Sequence, residues 1–306
     1  MTRLNNPHLT QVYSRPAWHD LGALTEVMDS TEVDLGLVIP SSSTIPALRA
    51  AGGAIHEATE AHNRSMSRDL EAASGRFVAM AVVDPFGGRE DVAQLARSLK
   101  LPNIGGIGLT TNYGEITLDD KRFEPIFELA REYDVPVTVH PGGIWPGARQ
   151  QLGLDTAFLS SGLGFFLVDG LCIFKMAGGG VFDRFPSVRF MFCQLGGVAP
   201  ICCGRWSFHD VAQAHGAADH VPARSLADYL SHVWLDTHTQ DRHALALVMA
   251  EFGAHTIVIG GDYPFTVPSL GMDYTLAELA ALSPDAETRH NIECNNALAL
   301  LGRRPD

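Results

Sequence analysis

The sequence predicts an α/β chain folded as a (β/α)8 TIM-type barrel, and three observations carry that reading. Seven short β-branched runs are almost continuously apolar, as strands are when both of their faces are covered. They alternate with longer amphipathic stretches, the pattern of repeated βα units. The 306 residues suit a single barrel domain running over the whole chain, residues 1–306, and no glycine-rich phosphate loop follows an early strand as an open nucleotide-binding sheet would require.

In chain order the strands are expected at Val33–Ile39, Phe77–Val83, Ile104–Leu109, Val135–Val139, Val188–Cys193, Val233–Asp236 and Thr256–Gly260. Thr2–Asn6 would supply the eighth, at the start of the chain. Helices are expected at Leu21–Thr31, Thr44–Gly75, Glu90–Lys100, Phe123–Tyr133, a glycine-rich segment ending at Val181, and Asp241–Phe252. A closing helix begins at Ser283-Pro284-Asp285, read as an N-cap with proline at the first helical position, and runs to Leu301 with Gly302 as its stop.

Composition narrows the function. With 46% hydrophobic and 19% charged residues the chain can bury a large core. Twenty-two Lys and Arg against 35 Asp and Glu give a net charge of −13, which repels nucleic acid. Five cysteines without a CxxC pair, and no apolar run after Met1, point to a reduced cytoplasmic protein. Leu159–Phe182 is long enough to span a bilayer, but Asp169 and Lys175 interrupt it, so a buried helix and no membrane partner are expected.

In a barrel the chemistry sits where strands end, at one shared mouth. His140 ends the run Val135–Val139, and Asp262 follows Thr256–Gly260 through Gly261. Gln194 ends Val188–Cys193, and Asp236-Thr237-His238 ends another strand, where Asp236 serves either the site or the cap of the next helix. Histidine and aspartate converging from different strands suit a divalent metal that activates water or polarises a carboxylate. Trp145 and Tyr263, just beyond His140 and Asp262, could wall a pocket for a planar substrate, although core packing explains them nearly as well.

Four blocks in this order give the chain a resemblance to amidohydrolase family 2, the barrel group that includes aminocarboxymuconate-semialdehyde and γ-resorcylate decarboxylases. They are Val137-Thr138-Val139-His140-Pro141, Gly180-Val181-Phe182-Asp183-Arg184-Phe185-Pro186, Gly260-Gly261-Asp262-Tyr263-Pro264-Phe265, and Asn295-Asn296-Ala297-Leu298-Ala299-Leu300-Leu301-Gly302. Met28-Asp29 and Arg76-Phe77-Val78 agree with them. The resemblance implies His140 and Asp262 as metal ligands.

The chain also departs from that family. The family's first-strand His-x-His pair is matched by Asn6-Pro7-His8, which keeps the second histidine alone. Gln194 stands where the family has a catalytic histidine, and an amide does not shuttle a proton. The expected metal set is therefore His8, His140 and Asp262, holding zinc or manganese, with His238 as the replacement proton donor and Gln194 as a substrate-binding amide. Arg205, preceded by Gly204, matches the family's Gly-Arg that reaches a neighbouring subunit's site to grip a carboxylate, which implies a homodimer.

The leading expectation is a carbon–carbon lyase that decarboxylates an aromatic or unsaturated small-molecule carboxylic acid. The alternatives are a metal-dependent hydrolase of a lactone, ester or amide, and a metal-free divergent barrel acting as a biosynthetic cyclase or a non-catalytic binding protein.

Overall fold

The computed structural model describes residues 16–18, 20–73, 75–154, 156–206, 224–238, 241–266 and 271–303. Its strands are β1 Gly36–Val38, β2 Phe77–Val82, β3 Ile104–Thr110, β4 Asn112–Tyr113, β5 Ile116–Thr117, β6 Val137–His140, β7 Phe190–Phe192, β8 Trp234–Asp236 and β9 Ile257–Val258. β4 and β5 make a small antiparallel hairpin in the loop after β3. The other seven form one parallel sheet in the order β1-β2-β3-β6-β7-β8-β9, matching the seven predicted runs. Each βα unit adds its strand on the same side as the last, which curls the sheet and gathers every C-terminal strand end along one rim. The predicted first strand, Thr2–Asn6, lies outside the described residues.

Side chains alternate across the sheet. Phe77, Ala79, Ala81 and Val83 join the large core under the helices with Ile107, Leu109, Val137, Val139, Phe190 and Phe192. Phe190 is held edge-on by Phe127 and Phe182, at ring separations of 5.2 and 5.7 Å. The opposite face is narrower: Met191, Cys193 and Val258 meet Leu37, Ile39 and Trp234, with Leu300 and Ala297 of the last helix beside them. Two glycines of β3 make that closeness possible. A Cβ on Gly106 would lie 2.5 Å from Met80 Sδ, and one on Gly108 would lie 2.4 Å from Pro40 Cγ.

The expected helices form, with differences at glycine and serine punctuation, and further helices appear at Ala199–Trp206, Leu226–Leu230 and Met272–Leu282. The stretch expected as one helix over Thr44–Gly75 is two, Thr44–Ala51 and Ile55–Glu71, because Gly52 and Gly53 both take positive φ (82° and 85°) and end the first. Ser283 is not the N-cap of the closing helix: at φ 49° it terminates a preceding helix, Met272–Leu282, and Asp285 caps the last one by accepting from Thr288 N at 2.9 Å. The long apolar segment contains the helix Phe165–Gly178, which buries Val168, Asp169, Cys172, Ile173, Met176 and Ala177 in the protein. Its composition would allow it to cross a membrane; here 44% of the window Ser160–Gly178 is buried within the fold.

Candidate active site

β6 delivers His140 to the rim between β3 and β7. Thr110 pairs with His140 in register, and Thr111 N donates to the His140 carbonyl at 2.9 Å, so the ladder continues to the last residue. The turn behind is equally fixed: Gly142 N donates to Thr111 Oγ1 at 2.8 Å and Asn112 Nδ2 donates to Gly143 O at 2.9 Å. His140 Nδ1 lies 2.8 Å from the Pro141 carbonyl. A carbonyl can only accept, so Nδ1 carries the proton and Nε2 presents its lone pair. Burial pushes the His140 pKa down, against the Pro141 bond and the charges of Asp262 and Asp236, and holds the ring neutral near pH 7.

The ends of β8 and β9 are tied together. His238 Nε2 meets Asp262 Oδ2 at 3.1 Å, with the histidine side chain largely buried. Burial by itself lowers the His238 pKa, but the hydrogen bond and charge of Asp262, with the charge of Asp236, outweigh it and leave the pKa raised. Asp262 is a non-glycine residue in the left-handed region (φ 52°), and Thr266 N donates to its carbonyl at 3.0 Å. Asp236 does not cap the following helix, since Asp241 does that by accepting from His243 N and Ala244 N. Its Oδ1 instead accepts from Gln194 N at 2.7 Å and from His238 N at 3.1 Å.

Gln194 and Leu195 both adopt left-handed backbone (φ 56° and 53°), turning the chain sharply after β7. Gln194 Oε1 is buried without a hydrogen-bond partner among the described residues. The structure thus gathers His140, His238, Asp262 and Asp236 into one electrostatic cluster, with Gln194 hung from Asp236. The other predicted residues fall as follows. Trp145 is a half-buried N-cap of the short helix Pro146–Gln151, and Tyr263 directly follows Asp262 in the loop after β9. Arg205 falls on the helix Ala199–Trp206, its side chain outside the described part, and His8 and Asn6 lie outside the described residues. Sequence reasoning missed the tie that Asp236 makes, because a strand-end aspartate looks the same whether it caps a helix or joins two loops.

A neutral imidazole whose Nδ1 proton is pinned on a backbone carbonyl is the form in which histidine binds a metal, and Asp262 adds a carboxylate. These two donors fit a divalent ion. Among the described residues no group of three or more His, Cys, Asp or Glu forms a metal cluster, so a third ligand would come from elsewhere.

Residues 35–303 match the sequence profile of the amidohydrolase family. The chain belongs to that family. This amidohydrolase is 26% identical over 234 residues to 2-amino-3-carboxymuconate-6-semialdehyde decarboxylase of Dictyostelium discoideum, a match covering 76% of this chain and 62% of the relative, less than two thirds of its length. It is 26% identical over 236 residues to the decarboxylase orsB of Emericella nidulans, covering 73% and 70%. It is 25% identical over 215 residues to 2-keto-4-carboxy-3-hexenedioate hydratase of Sphingobium, covering 66% and 58%. The fold superposes on 5-carboxyvanillate decarboxylase of Sphingomonas paucimobilis with a TM-score of 0.80 at 18% identity, covering 97% of this chain and 86% of the other. The manganese-bound dihydroxybenzoic acid decarboxylase of a Polaromonas gives 0.76 at 18% identity, covering 92% and 86%. At that identity the superpositions carry the fold.

Proposed function

We propose that this amidohydrolase is a metal-dependent carboxy-lyase that releases carbon dioxide from an aromatic or unsaturated small-molecule carboxylic acid. On this reading the sheet belongs to a single eight-stranded barrel domain, and the protein works in the cytoplasm as a homodimer. The observation that carries it is the group at the rim, where His238 Nε2 meets Asp262 Oδ2 at 3.1 Å and the Pro141 carbonyl holds the His140 proton on Nδ1.

His140, Asp262 and His8 would hold a zinc or manganese ion, which supplies positive charge to draw in the substrate carboxylate and its neighbouring oxygen. The remaining work belongs to the side chains. Burial keeps His140 neutral, and the Pro141 carbonyl keeps its proton on Nδ1. The bond to the carboxyl carbon breaks, its electron pair stays on the ring or alkene carbon, and carbon dioxide leaves. That carbon must then take a proton. Gln194 has none to give, so His238, whose raised pKa favours the imidazolium, donates it and regains one from water. The Gln194 amide hydrogen-bonds the substrate, Trp145 and Tyr263 wall it, and Arg205 grips a carboxylate with its guanidinium fork.

The test is carbon dioxide release from 2,6-dihydroxybenzoate, 5-carboxyvanillate and unsaturated dicarboxylates, with metal content measured on wild type, His140→Ala and Asp262→Ala. Release that depends on both residues and on roughly one bound ion per chain is expected. Uptake of water without carbon dioxide would replace the lyase by a second reading, hydration or hydrolysis, which the likeness to a hydratase and the titration-silent Gln194 favour.

A further inference from the structure

We infer that Asp236 is the positioning residue of this site: one buried carboxylate that sets Gln194 and His238 in place together. The argument rests on the reading of the rim as an active site, but its geometry stands alone. Asp236 ends β8, and the obvious employment for such an aspartate, capping the next helix, is taken by Asp241. It is only 7% exposed, and its Oδ1 is committed to the protein.

One oxygen, Oδ1, serves two backbone N–H groups on separate loops, Gln194 at 2.7 Å and His238 at 3.1 Å. A carboxylate accepting two amides inside the protein is a strong, directional clamp. Cys193, the last residue before the turn, is a third neighbour of the same carboxyl group.

The clamp has a load to hold. Gln194 and Leu195 sit in left-handed backbone that non-glycine residues take only when their surroundings impose it. From the far side the turn is braced by the helix Phe165–Gly178: Val198 N donates to Phe166 O at 3.2 Å, and Gly170 and Gly197 allow the close approach, since a Cβ on Gly197 would lie 2.2 Å from that carbonyl. The helix holds the end of the turn, and Asp236 holds its first residue. The same carboxylate aligns the backbone of His238, whose ring reaches Asp262. Room for it is made at β9, where a Cβ on Gly260 would lie 2.9 Å from Asp236 Cγ.

The test uses Asp236→Ala and Asp236→Asn in the full-length, metal-loaded protein, labelled with 15N glutamine and histidine. Amide hydrogen exchange at Gln194 and His238 is expected to accelerate roughly tenfold in Asp236→Ala, in a protein that still unfolds cooperatively, because each amide loses its acceptor. Asp236→Asn keeps an oxygen that accepts both amides and restores protection. On a substrate that wild type turns over, kcat falls on the order of 10- to 100-fold in Asp236→Ala with KM within a few-fold, and the asparagine variant recovers most of it. Unchanged exchange at both amides in folded Asp236→Ala overturns the inference. If that variant does not fold, Gly260→Ala decides it: crowding the carboxylate must loosen the same two amides, and protection kept at both sinks the idea. Failure to find any substrate removes the lyase reading and leaves the exchange result intact, so the two failures are distinct.

Discussion

The two halves of the rim solve the same problem in opposite ways. At the ends of β2 and β3 the strand-end side chains of Asp84, Thr110 and Tyr113 are satisfied by their neighbours. Asp84, 2% exposed, takes two hydrogen bonds from Arg49 at 2.7 Å each and a third from Phe86 N at 3.0 Å. Thr110 Oγ1 donates to Asn112 O, and the Tyr113 hydroxyl accepts from Thr110 N. At the ends of β6 to β9 the polar groups are held but not used up: His140 keeps its proton on Nδ1 and leaves Nε2 as an acceptor, Gln194 Oε1 has no partner among the described residues, and left-handed backbone recurs at Gln194, Leu195 and Asp262. Groups kept unsatisfied and strained by a rigid surround mark where a ligand is meant to complete the structure, whereas a closed ion pair marks architecture.

That contrast can be broken at its strongest point first. His140→Ala or Asp262→Ala removes a donor worth several kcal/mol of charge stabilisation, so turnover should fall on the order of 100-fold or more, with metal lost from the purified protein and little change in the unfolding temperature. Next, His238→Gln should lower kcat on the order of 100-fold while metal content stays at the wild-type level, which separates the proton donor from the ligands. Turnover unchanged in that variant would remove His238 from the chemistry.

The closed half should behave in reverse. Arg49→Ala strips the partner from buried Asp84, but Arg49 is half-exposed and water screens the pair, so a loss of about 1–2 kcal/mol in stability is expected, with activity per folded molecule preserved. A loss of activity larger than the loss of folded protein would place Asp84 and Arg49 in the site.

The smallest effect concerns Asp169, which is fully buried on the helix Phe165–Gly178 with both carboxyl oxygens unpartnered among the described residues. Burial, with the charge of Asp236, raises its pKa well above the ordinary value. The folded chain therefore keeps a proton that the unfolded chain gives up above about pH 4, and this group costs stability increasingly as pH rises toward the folded pKa. Asp169→Asn abolishes that dependence. Its advantage over wild type in thermal unfolding should be larger at pH 8 than at pH 5, and an advantage independent of pH would show that Asp169 is ionised in the fold.

The order of the strands and the place of His140, Gln194, His238 and Asp262 at their ends follow from the sequence, because apolar runs of strand length and the polar residue that stops each one are local signals. All seven runs are strands of the sheet and only their margins differ: Val33–Ile39 shrinks to Gly36–Val38, while the strands at Ile104 and Val137 run one residue further than expected, to Thr110 and His140. What was local but equivocal went astray: the glycine pair at 52 and 53 divides a helix, and Ser283 ends one where it was read as starting one. Tertiary structure alone decided the rest. Gln194 and Asp236 are 42 residues apart, and His238 and Asp262 come from different βα units, so neither contact exists until the sheet has curled and set the strand ends side by side. Periodicity fixes which face of its own element a residue occupies; which distant atom completes its hydrogen bonds depends on chain closure, and that is where Asp236 acquired its role.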